Sequence, residues 1–355
     1  MTTELIPIEI DDTPDAIRAT LKETHPAALE TAEAILKRSP RRIFIIGNGT
    51  SLYTSMAASY TARQLVADPN DALVFAVPAG DFRYFTPAIQ PNDVIIGMSA
   101  SGEFRDVLSV FERLRGQCLL VGITHVPGSS LARLADHILL SGGGPSRVPV
   151  MTKTYASTLT ALHLLLLETF HASQAYFDDL NAVADHCAIA LTRAKQIIPD
   201  LVPAVSKFEH AFYFGAGNAY AAALEGALKM KEMAILHAEG SETWEMASGP
   251  ATVVSDKSLC VALYTGESTD SSTADTAKHA RQWGARVLEV GPTAPTGDWH
   301  LLVEASIVPS FSSLVLIPPL ALLAYRTARA RGFNPDQPAW RERYTSQGMT
   351  HIIGE

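Results

Sequence analysis

The stretch RIFIIGNGTSLYTSMAASYTARQ (42–64) combines an apolar run, a Gly-x-Gly turn and an amphipathic segment. A short run of β-branched and aromatic residues favours a buried strand, and the segment after the glycines has helical character. The same order returns in DVIIGMSASGEFRDVLSVFERLR (93–115) and in CLLVGITHVPGSSLARLAD (118–136). Strands that alternate with helices predict a parallel sheet with helices on its faces.

The pattern restarts in the second half of the chain. HAFYFGAGNAYAAALEGALKMKE (210–232) repeats the first stretch at a shift of 168 residues, so that Gly47 and Gly49 correspond to Gly215 and Gly217. We therefore predict two copies of one α/β lobe. The predicted segments are an N-terminal helical segment, lobe one, a helical connector, lobe two and a C-terminal tail, at 1–30, 31–172, 173–207, 208–332 and 333–355.

Composition narrows the class of protein. The chain has 355 residues, 47% of them apolar, and a net charge of −9. This balance argues against nucleic-acid binding, because a phosphate backbone needs clustered Lys and Arg. The three cysteines are far apart without metal-ligand spacing, so we expect buried thiols in a reducing compartment and no metal site.

Two segments bear on localisation. The N-terminus MTTELIPIEIDDTPD (1–15) is acidic and lacks the apolar core of a secretory signal. The most hydrophobic stretch, SLVLIPPLALLAY (313–325), carries two prolines and is too short to span a bilayer. We expect a soluble cytoplasmic protein that does not bind a membrane.

Two loops at predicted strand ends have the composition of an anion site. GNGTS (47–51) and SASGE (99–103) place glycines and hydroxyls where helices begin. Glycines let the backbone approach an anion, and helix N-termini present N–H donors. The alternative is that Ser51 and Ser99 are only helix N-caps. The predicted phosphate-binding residues are Gly49, Thr50, Ser51, Ser99, Ala100, Ser101 and Gly102.

A helix in the second half carries a candidate general base. Glu225, Lys229 and Glu232 are spaced i, i+4 and i+7 in ALEGALKMKE (223–232), so they share one helix face among small and apolar residues. Desolvation on such a face suits a carboxylate to proton transfer near neutral pH. The alternative is a solvated Glu–Lys pair of the kind common on helices.

These motifs together, with GSSLARLAD (128–136) and ALEGALKMKEMAILHAEGSE (223–242), resemble the sugar isomerase (SIS) family. More narrowly, the chain resembles stand-alone relatives of the isomerase half of glucosamine-6-phosphate synthase, including amino-sugar-phosphate deaminases and fructosamine-phosphate deglycases. The resemblance runs from about residue 30 to 345. It implies an α/β fold of two tandem SIS lobes, each a parallel sheet flanked by helices in a flavodoxin-like three-layer sandwich.

The resemblance also implies a reaction. Glu232 matches the glutamate that transfers a proton between C1 and C2 of a sugar phosphate through an enediol or enolamine, and Glu225 and Lys229 match residues that position the open-chain sugar. We expect isomerisation or removal of an amine, independent of a glutaminase domain and without a cofactor. Related proteins form dimers, so we expect a homodimer. The apolar stretches at 159–170 and 313–325 are either its interface or lobe cores.

Several positions depart from the family pattern. Ser248 replaces the histidine that opens the sugar ring, Arg343 replaces a lysine near the C-terminus, and Phe104 replaces a phosphate-binding threonine. Serine does not titrate near pH 7, and arginine does not readily lose a proton. His237 is a candidate substitute for the ring-opening group. Arg147 suggests a second anionic group on the substrate, although a surface arginine explains it equally well.

Two other functions compete with the enzyme. A sugar-phosphate sensor is favoured by the loss of the ring-opening histidine and opposed by the retention of Glu232. A dinucleotide-dependent dehydrogenase is disfavoured, because GNGTSL (47–52) lacks the third glycine of the dinucleotide fingerprint.

Overall fold

A computed structural model of the chain describes residues 4–292, 297–303 and 308–341. The strands of lobe one are β1 (Arg42–Gly47), β2 (Leu73–Pro78), β3 (Val94–Met98), β4 (Leu119–Thr124) and β5 (His137–Leu140). They form one parallel sheet in the order β2-β1-β3-β4-β5. Every residue of β3 and β4 is buried, which explains why the central strands are continuous apolar runs.

Lobe two repeats this sheet. Its strands are β6 (His210–Gly215), β7 (His237–Glu242), β8 (Ser258–Leu263), β9 (Arg286–Gly291) and β10 (Trp299–Leu302). They are parallel in the order β7-β6-β8-β9-β10, so each takes the place of the strand five numbers lower in lobe one. The predicted duplication of an α/β lobe is confirmed.

Helices follow the strands as the sequence pattern predicts. The helices are α1 (Leu5–Asp11), α2 (Thr13–Glu23), α3 (His25–Leu36), α4 (Thr50–Leu65), α5 (Ala79–Tyr84), α6 (Arg105–Leu114), α7 (Ser130–Leu134), α8 (Lys153–Thr169), α9 (Gln174–Val205), α10 (Asn218–Ala234), α11 (Thr243–Ser248), α12 (Asp270–Gln282) and α13 (Ser312–Ala330). Short 3₁₀ turns cover Pro250–Val253 and Pro309–Phe311. The helix α4 follows β1 and α10 follows β6, so both Gly-x-Gly turns join a strand to a helix.

The two compact units of the structure differ from the predicted segments. One unit contains the described residues of 12–147 and 153–181 with lobe one, and the other contains those of 4–11, 148–152 and 182–338 with lobe two. The N-terminal segment is thus divided, because α1 packs against α13 whereas α2 and α3 pack against α8. The connector helix α9 is divided as well, at residue 182.

The two long apolar stretches lie in lobe cores. Every residue of α8 except Glu168 is buried, and α13 is buried along nearly all its length against α10. Among the described residues, Pro309–Ala330 is the one helical stretch long and apolar enough to cross a membrane, and 94% of its most apolar window is buried. The two stretches therefore belong to lobe cores, and this alternative is confirmed. The homodimer stays a prediction, and these buried helices are not its interface.

The cysteines behave as the sequence indicates. Cys118, Cys187 and Cys260 are free and buried. Burial raises the pKa of the Cys118 thiol to about 11 and that of Cys260 to about 12, so neither forms a reactive thiolate near neutral pH.

Candidate active site

The first predicted anion loop is a tight turn from β1 into α4. Gly49 adopts φ +54°, a conformation that disfavours any side chain, and directly precedes the helix. A Cβ on Gly47 would lie 2.6 Å from the Cβ of Ser51, so the turn also needs glycine there. Thr50 and Ser51 occupy the first turn of α4 and are 6% and 8% exposed. Their positions place hydroxyls beside the N–H donors of a helix N-terminus.

The second loop is held by its own hydroxyls. The N–H of Gly102 donates to the Ser99 hydroxyl at 3.0 Å, and the N–H of Glu103 donates to Ser101 Oγ at 3.3 Å. The carbonyl of Ala100 accepts from Thr124 Oγ1 at 3.2 Å. Ser99 is buried, whereas Ser101 is exposed.

The N-cap alternative is wrong for both serines. The helix α4 begins at Thr50 after Gly49, and α6 begins at Arg105 after Phe104, so neither Ser51 nor Ser99 is an N-cap. The carboxylate of SASGE contacts the start of α7: Glu103 Oε1 accepts from the N–H of Ser130 at 2.9 Å. Hydrogen bonds from the side chain and then from the N–H of Ser130 lower the pKa of Glu103.

Two residues that sequence reasoning missed connect the loops. The amide of Asn48, in GNGTS, donates to the carboxylate of Asp106, two residues into α6. Burial raises the pKa of Asp106, while its hydrogen bond from the N–H of Val107 acts in the opposite direction. Since β1 and β3 are neighbours in the sheet, this contact brings the two loops together into one arrangement, which we call the cradle (residues 47–51 and 99–103). The signal in the sequence was Asn48, a polar residue inside the Gly-x-Gly turn that needs a hydrogen-bond partner.

The three charged residues of α10 form a buried cluster. The Lys229 ammonium lies 3.1 Å from Glu225 Oε1 and 2.6 Å from Glu232 Oε2. The side chains of Lys229 and Glu225 are fully buried, whereas that of Glu232 is 27% exposed. Burial by itself would lower the pKa of Lys229, but the two carboxylates raise it. The alternative of a solvated pair is wrong, and we call these three residues the ion triad.

The candidate substitute for the ring-opening group lies on a strand. His237 starts β7, at the amino end of the lobe-two sheet, where it is exposed and stacks edge-on against His210 at 5.6 Å. His237 lies outside the helix, because α10 ends at Ala234 and Ile235 adopts a left-handed conformation. Ligands bind at the carboxyl ends of parallel strands, so His237 is at the wrong end of its strand for ring opening.

Arg147 and Ser248 already have protein partners. The Arg147 guanidinium lies 3.1 Å from the Asp12 carboxylate on a half-exposed surface, which favours the surface interpretation. The hydroxyl of Ser248 donates to the carbonyl of Trp244 at 2.8 Å. Arg343 lies outside the described residues, so the prediction for it stays a prediction.

In lobe two, a protein carboxylate binds the loop that corresponds to the cradle. After β6, Gly217 has φ +56° and α10 begins at Asn218. The Asn218 amide donates to Glu267 Oε2 at 3.3 Å, and the Thr265 hydroxyl donates to the same oxygen at 2.9 Å. A carboxylate of the protein itself therefore accepts the donors at this position.

Comparison with known proteins fits this geometry. The family model described as SIS domain matches residues 36–168 and 205–291, more than half of the chain. The chain belongs to the SIS domain family. Its two matched parts correspond to the two lobes, in agreement with the resemblance drawn from the motifs.

The glutamine–fructose-6-phosphate aminotransferase (isomerizing) of Methanothermobacter thermautotrophicus is 31% identical to this SIS protein over 335 residues. The match covers 93% of this chain and 55% of that protein, so the chain spans about half the length of this curated relative.

Solved structures share the fold. The C-terminal domain of glucosamine-fructose-6-phosphate aminotransferase from Francisella tularensis superposes with a TM-score of 0.85 at 22% identity, covering 95% of this chain and 99% of that one. The tagatose-6-phosphate ketose/aldose isomerase of Escherichia coli superposes with a TM-score of 0.76 at 21% identity, covering 94% and 95%. At these identities the likeness concerns the fold.

Proposed function

We propose that this SIS protein is an enzyme that moves a proton between C1 and C2 of a phosphorylated sugar or amino sugar. The reaction is aldose–ketose isomerisation, or the related removal of an amine. The observation that carries the proposal is the ion triad, in which only Glu232 is reachable from solvent. Buried ion pairs are weak devices for stability, so a triad with one open member fits a chemical role.

The triad residues have separate parts in this reaction. Glu232 is the general base, and the Lys229 ammonium at 2.6 Å fixes the orientation of its carboxylate. Glu225, fully buried at 3.1 Å from Lys229, holds the lysine in place. Glu225 and Lys229 are thus positioning residues for Glu232.

The proton balance of the isomerisation is simple. Glu232 takes the proton from C2 of an open-chain aldose, the C–H electrons form the C1=C2 bond, and the C1 oxygen gains a proton from water. The resulting enediol then collapses: the C2 hydroxyl loses its proton to water as the C2 carbonyl forms, and Glu232 returns its proton to C1. No electron acceptor is needed.

The cradle is the proposed phosphate site. Thr50, Ser51, Ser99 and the N–H groups at the start of α4 are the donors, and the Asn48–Asp106 contact keeps the two loops in register. We propose that a phosphate bound in the cradle anchors the sugar, and that its binding energy serves the chemical step.

The substrate is proposed to react in its open-chain form. Ser248 stands where relatives have the ring-opening histidine, and its hydroxyl is engaged by Trp244. The same observation favours a second candidate function, a sugar-phosphate sensor that binds without turnover. The two candidates share the cradle and differ in whether Glu232 moves a proton.

Solvent exchange followed by NMR distinguishes them. The protein is incubated in deuterated water with fructose 6-phosphate, tagatose 6-phosphate or glucosamine 6-phosphate, as wild type, as Glu232→Gln and as the control Glu112→Gln, an exposed glutamate of α6. We expect deuterium at C1 or C2 with the wild type and the control but not with Glu232→Gln. Ligand binding without exchange in the wild type would establish the sensor instead.

A further inference from the structure

The carboxyl ends of β4 and β5 in lobe one hold buried polar side chains that the cradle does not use. His125 follows β4 and Ser141 follows β5, and the two lie side by side because Thr124 pairs with Leu140. The N–H of Ser141 donates to the carbonyl of Thr124 at 2.9 Å. His125 and Ser141 are only 4% and 5% exposed.

The hydrogen bonds of His125 define its tautomer. Its Nε2 lies 2.8 Å from Ser157 Oγ, and the Ser157 hydroxyl donates to the carbonyl of Lys153 at 3.1 Å. From this network we assign the proton of the neutral imidazole to Nε2, which leaves Nδ1 as an acceptor. Among the described residues, no group hydrogen-bonds His125 Nδ1 or Ser141 Oγ.

A buried cation lies beside this pair. Lys153 is 7% exposed, and its ammonium donates to the carbonyl of Gly143 at 2.9 Å. Ser157 links the two residues, because its hydroxyl lies 2.8 Å from His125 Nε2 and donates to the carbonyl of Lys153 at 3.1 Å. Burial lowers the pKa of His125 to about 4, and the Lys153 charge acts in the same direction. Within the described ranges no carboxylate forms an ion pair with Lys153, although buried charges are ordinarily paired.

This group is joined directly to the cradle. The N–H of His125 donates to the carbonyl of Ala100 at 3.2 Å, and Thr124 Oγ1 donates to the same carbonyl. Both features lie at the carboxyl edge of the lobe-one sheet, where open α/β sheets bind ligands.

We infer that His125, Ser141 and Lys153 form a second subsite of lobe one, which takes oxygen atoms of the sugar whose phosphate occupies the cradle. A sugar hydroxyl donates to His125 Nδ1 and accepts from the Lys153 ammonium, which has three donors for one protein acceptor. The ligand class is a polyhydroxylated phosphate, in preference to inorganic phosphate. This inference rests on the proposed function, because it needs a phosphate in the cradle.

Calorimetry with two probes tests it. Fructose 6-phosphate and inorganic phosphate are titrated into wild type, His125→Phe, Ser141→Ala and Lys153→Met. We expect each variant to lose about tenfold in affinity for fructose 6-phosphate, as for one lost hydrogen bond in a buried site, and to bind inorganic phosphate as the wild type does. His137→Phe, at the opposite end of β5, is the control that changes neither affinity.

A conservative variant distinguishes a contact with the ligand from an effect on packing. His125→Gln keeps a donor for Ser157 and an acceptor in place of Nδ1, so it should bind fructose 6-phosphate more tightly than His125→Phe and nearly as tightly as the wild type. An unchanged ratio of the two affinities in all three variants would mean that the group binds only water and would overturn the subsite. Equal weakening of both probes would overturn it as well. Failure of inorganic phosphate to bind the wild type would instead overturn the cradle itself.

Discussion

The loops after β1 and β6 have the same backbone conformation but different residues. Gly49 has φ +54° and ψ −127°, and Gly217 has φ +56° and ψ −125°, so the turn before the helix is the same in both lobes. In lobe one the turn is followed by Thr50 and Ser51, and in lobe two by Asn218 and Ala219.

The two turns differ in which of their groups donate to a carboxylate of the protein. In lobe two Glu267 accepts from Asn218 and Thr265, so the donors bind a negative charge of the protein itself. In lobe one the carboxylate of Asp106 accepts from Asn48 of the turn, and Glu103 accepts from the N–H of Ser130 of α7. The hydroxyls of Thr50, Ser51 and Ser99 are the groups that we propose bind a ligand. The proposed function thus assigns phosphate binding to the turn of lobe one, whereas Glu267 occupies the donors of the turn in lobe two. Replacing the charged partners in lobe two should therefore change the free energy of unfolding. Replacing the cradle hydroxyls in lobe one should change the ligand affinity.

The largest effect is expected in lobe two from Lys229→Met. It leaves two carboxylates, one of them fully buried, without their shared cation. Breaking such a buried pair costs about 3–5 kcal/mol of unfolding free energy, measured by urea denaturation. The control is Lys257→Met, which removes an exposed pair with Glu209 and should leave the midpoint nearly unchanged. Equal midpoints for the two variants would show that removing Lys229 does not leave an uncompensated buried charge.

Acid should act on lobe one through its buried histidines, of which His125 titrates at the higher pH, because burial lowers the pKa of His163 further, to about 3. The pKa of His125 falls from 6.5 to about 4 on folding, so the unfolded chain binds more protons between these values and stability decreases as the pH falls through that window. This difference in pKa corresponds to a loss of about 3 kcal/mol of unfolding free energy once the pH is below both values. His125→Gln should flatten this part of the dependence of unfolding free energy on pH between 4 and 6.5. A slope equal to that of the wild type would show that His125 does not titrate in this way.

Ser51→Ala tests the cradle without disturbing the frame. Alanine occupies the matching position 219 in lobe two on the same backbone, so the unfolding free energy should change little. The affinity for inorganic phosphate should fall by about tenfold, as expected for one lost hydrogen bond to a charged group. Loss of stability with unchanged affinity would reverse the comparison between the lobes.

The smallest effect is expected from Glu267→Ala. It removes the acceptor of Asn218 and Thr265, and a phosphate should then bind weakly at the lobe-two turn as a second calorimetric event. Glu245→Ala, an exposed glutamate of α11, is the control without such an event. A single event with Glu267→Ala would show that the lobe-two turn does not bind anions even when open.

The fold was predictable because its signal is local and repeated. Apolar runs followed by Gly-x-Gly and a helix occur at a shift of 168 residues, and glycine is required at Gly49 and Gly217 by a backbone conformation. The triad spacing was equally local. The strand that holds His237 has no such signal, because HAEGSE (237–242) is polar and is stabilised by its pairing with β6 more than by its own residues.

Contacts between distant segments were beyond sequence reasoning. Asn48 and Asp106 are 58 residues apart, and His125 and Ser157 are 32 apart, so each pairing depends on strand order. The burial of Glu225 and Lys229 also depends on packing, since an i, i+4 pair looks the same in sequence on an exposed helix.

The most direct test of the comparison is the number and place of phosphates bound per chain. Isothermal titration with inorganic phosphate should give one site per chain in the wild type. That site should be lost when Thr50, Ser51 and Ser99 are all replaced by alanine, and kept in Asn218→Ala. Two sites in the wild type, or one site that survives the triple replacement, would contradict the account.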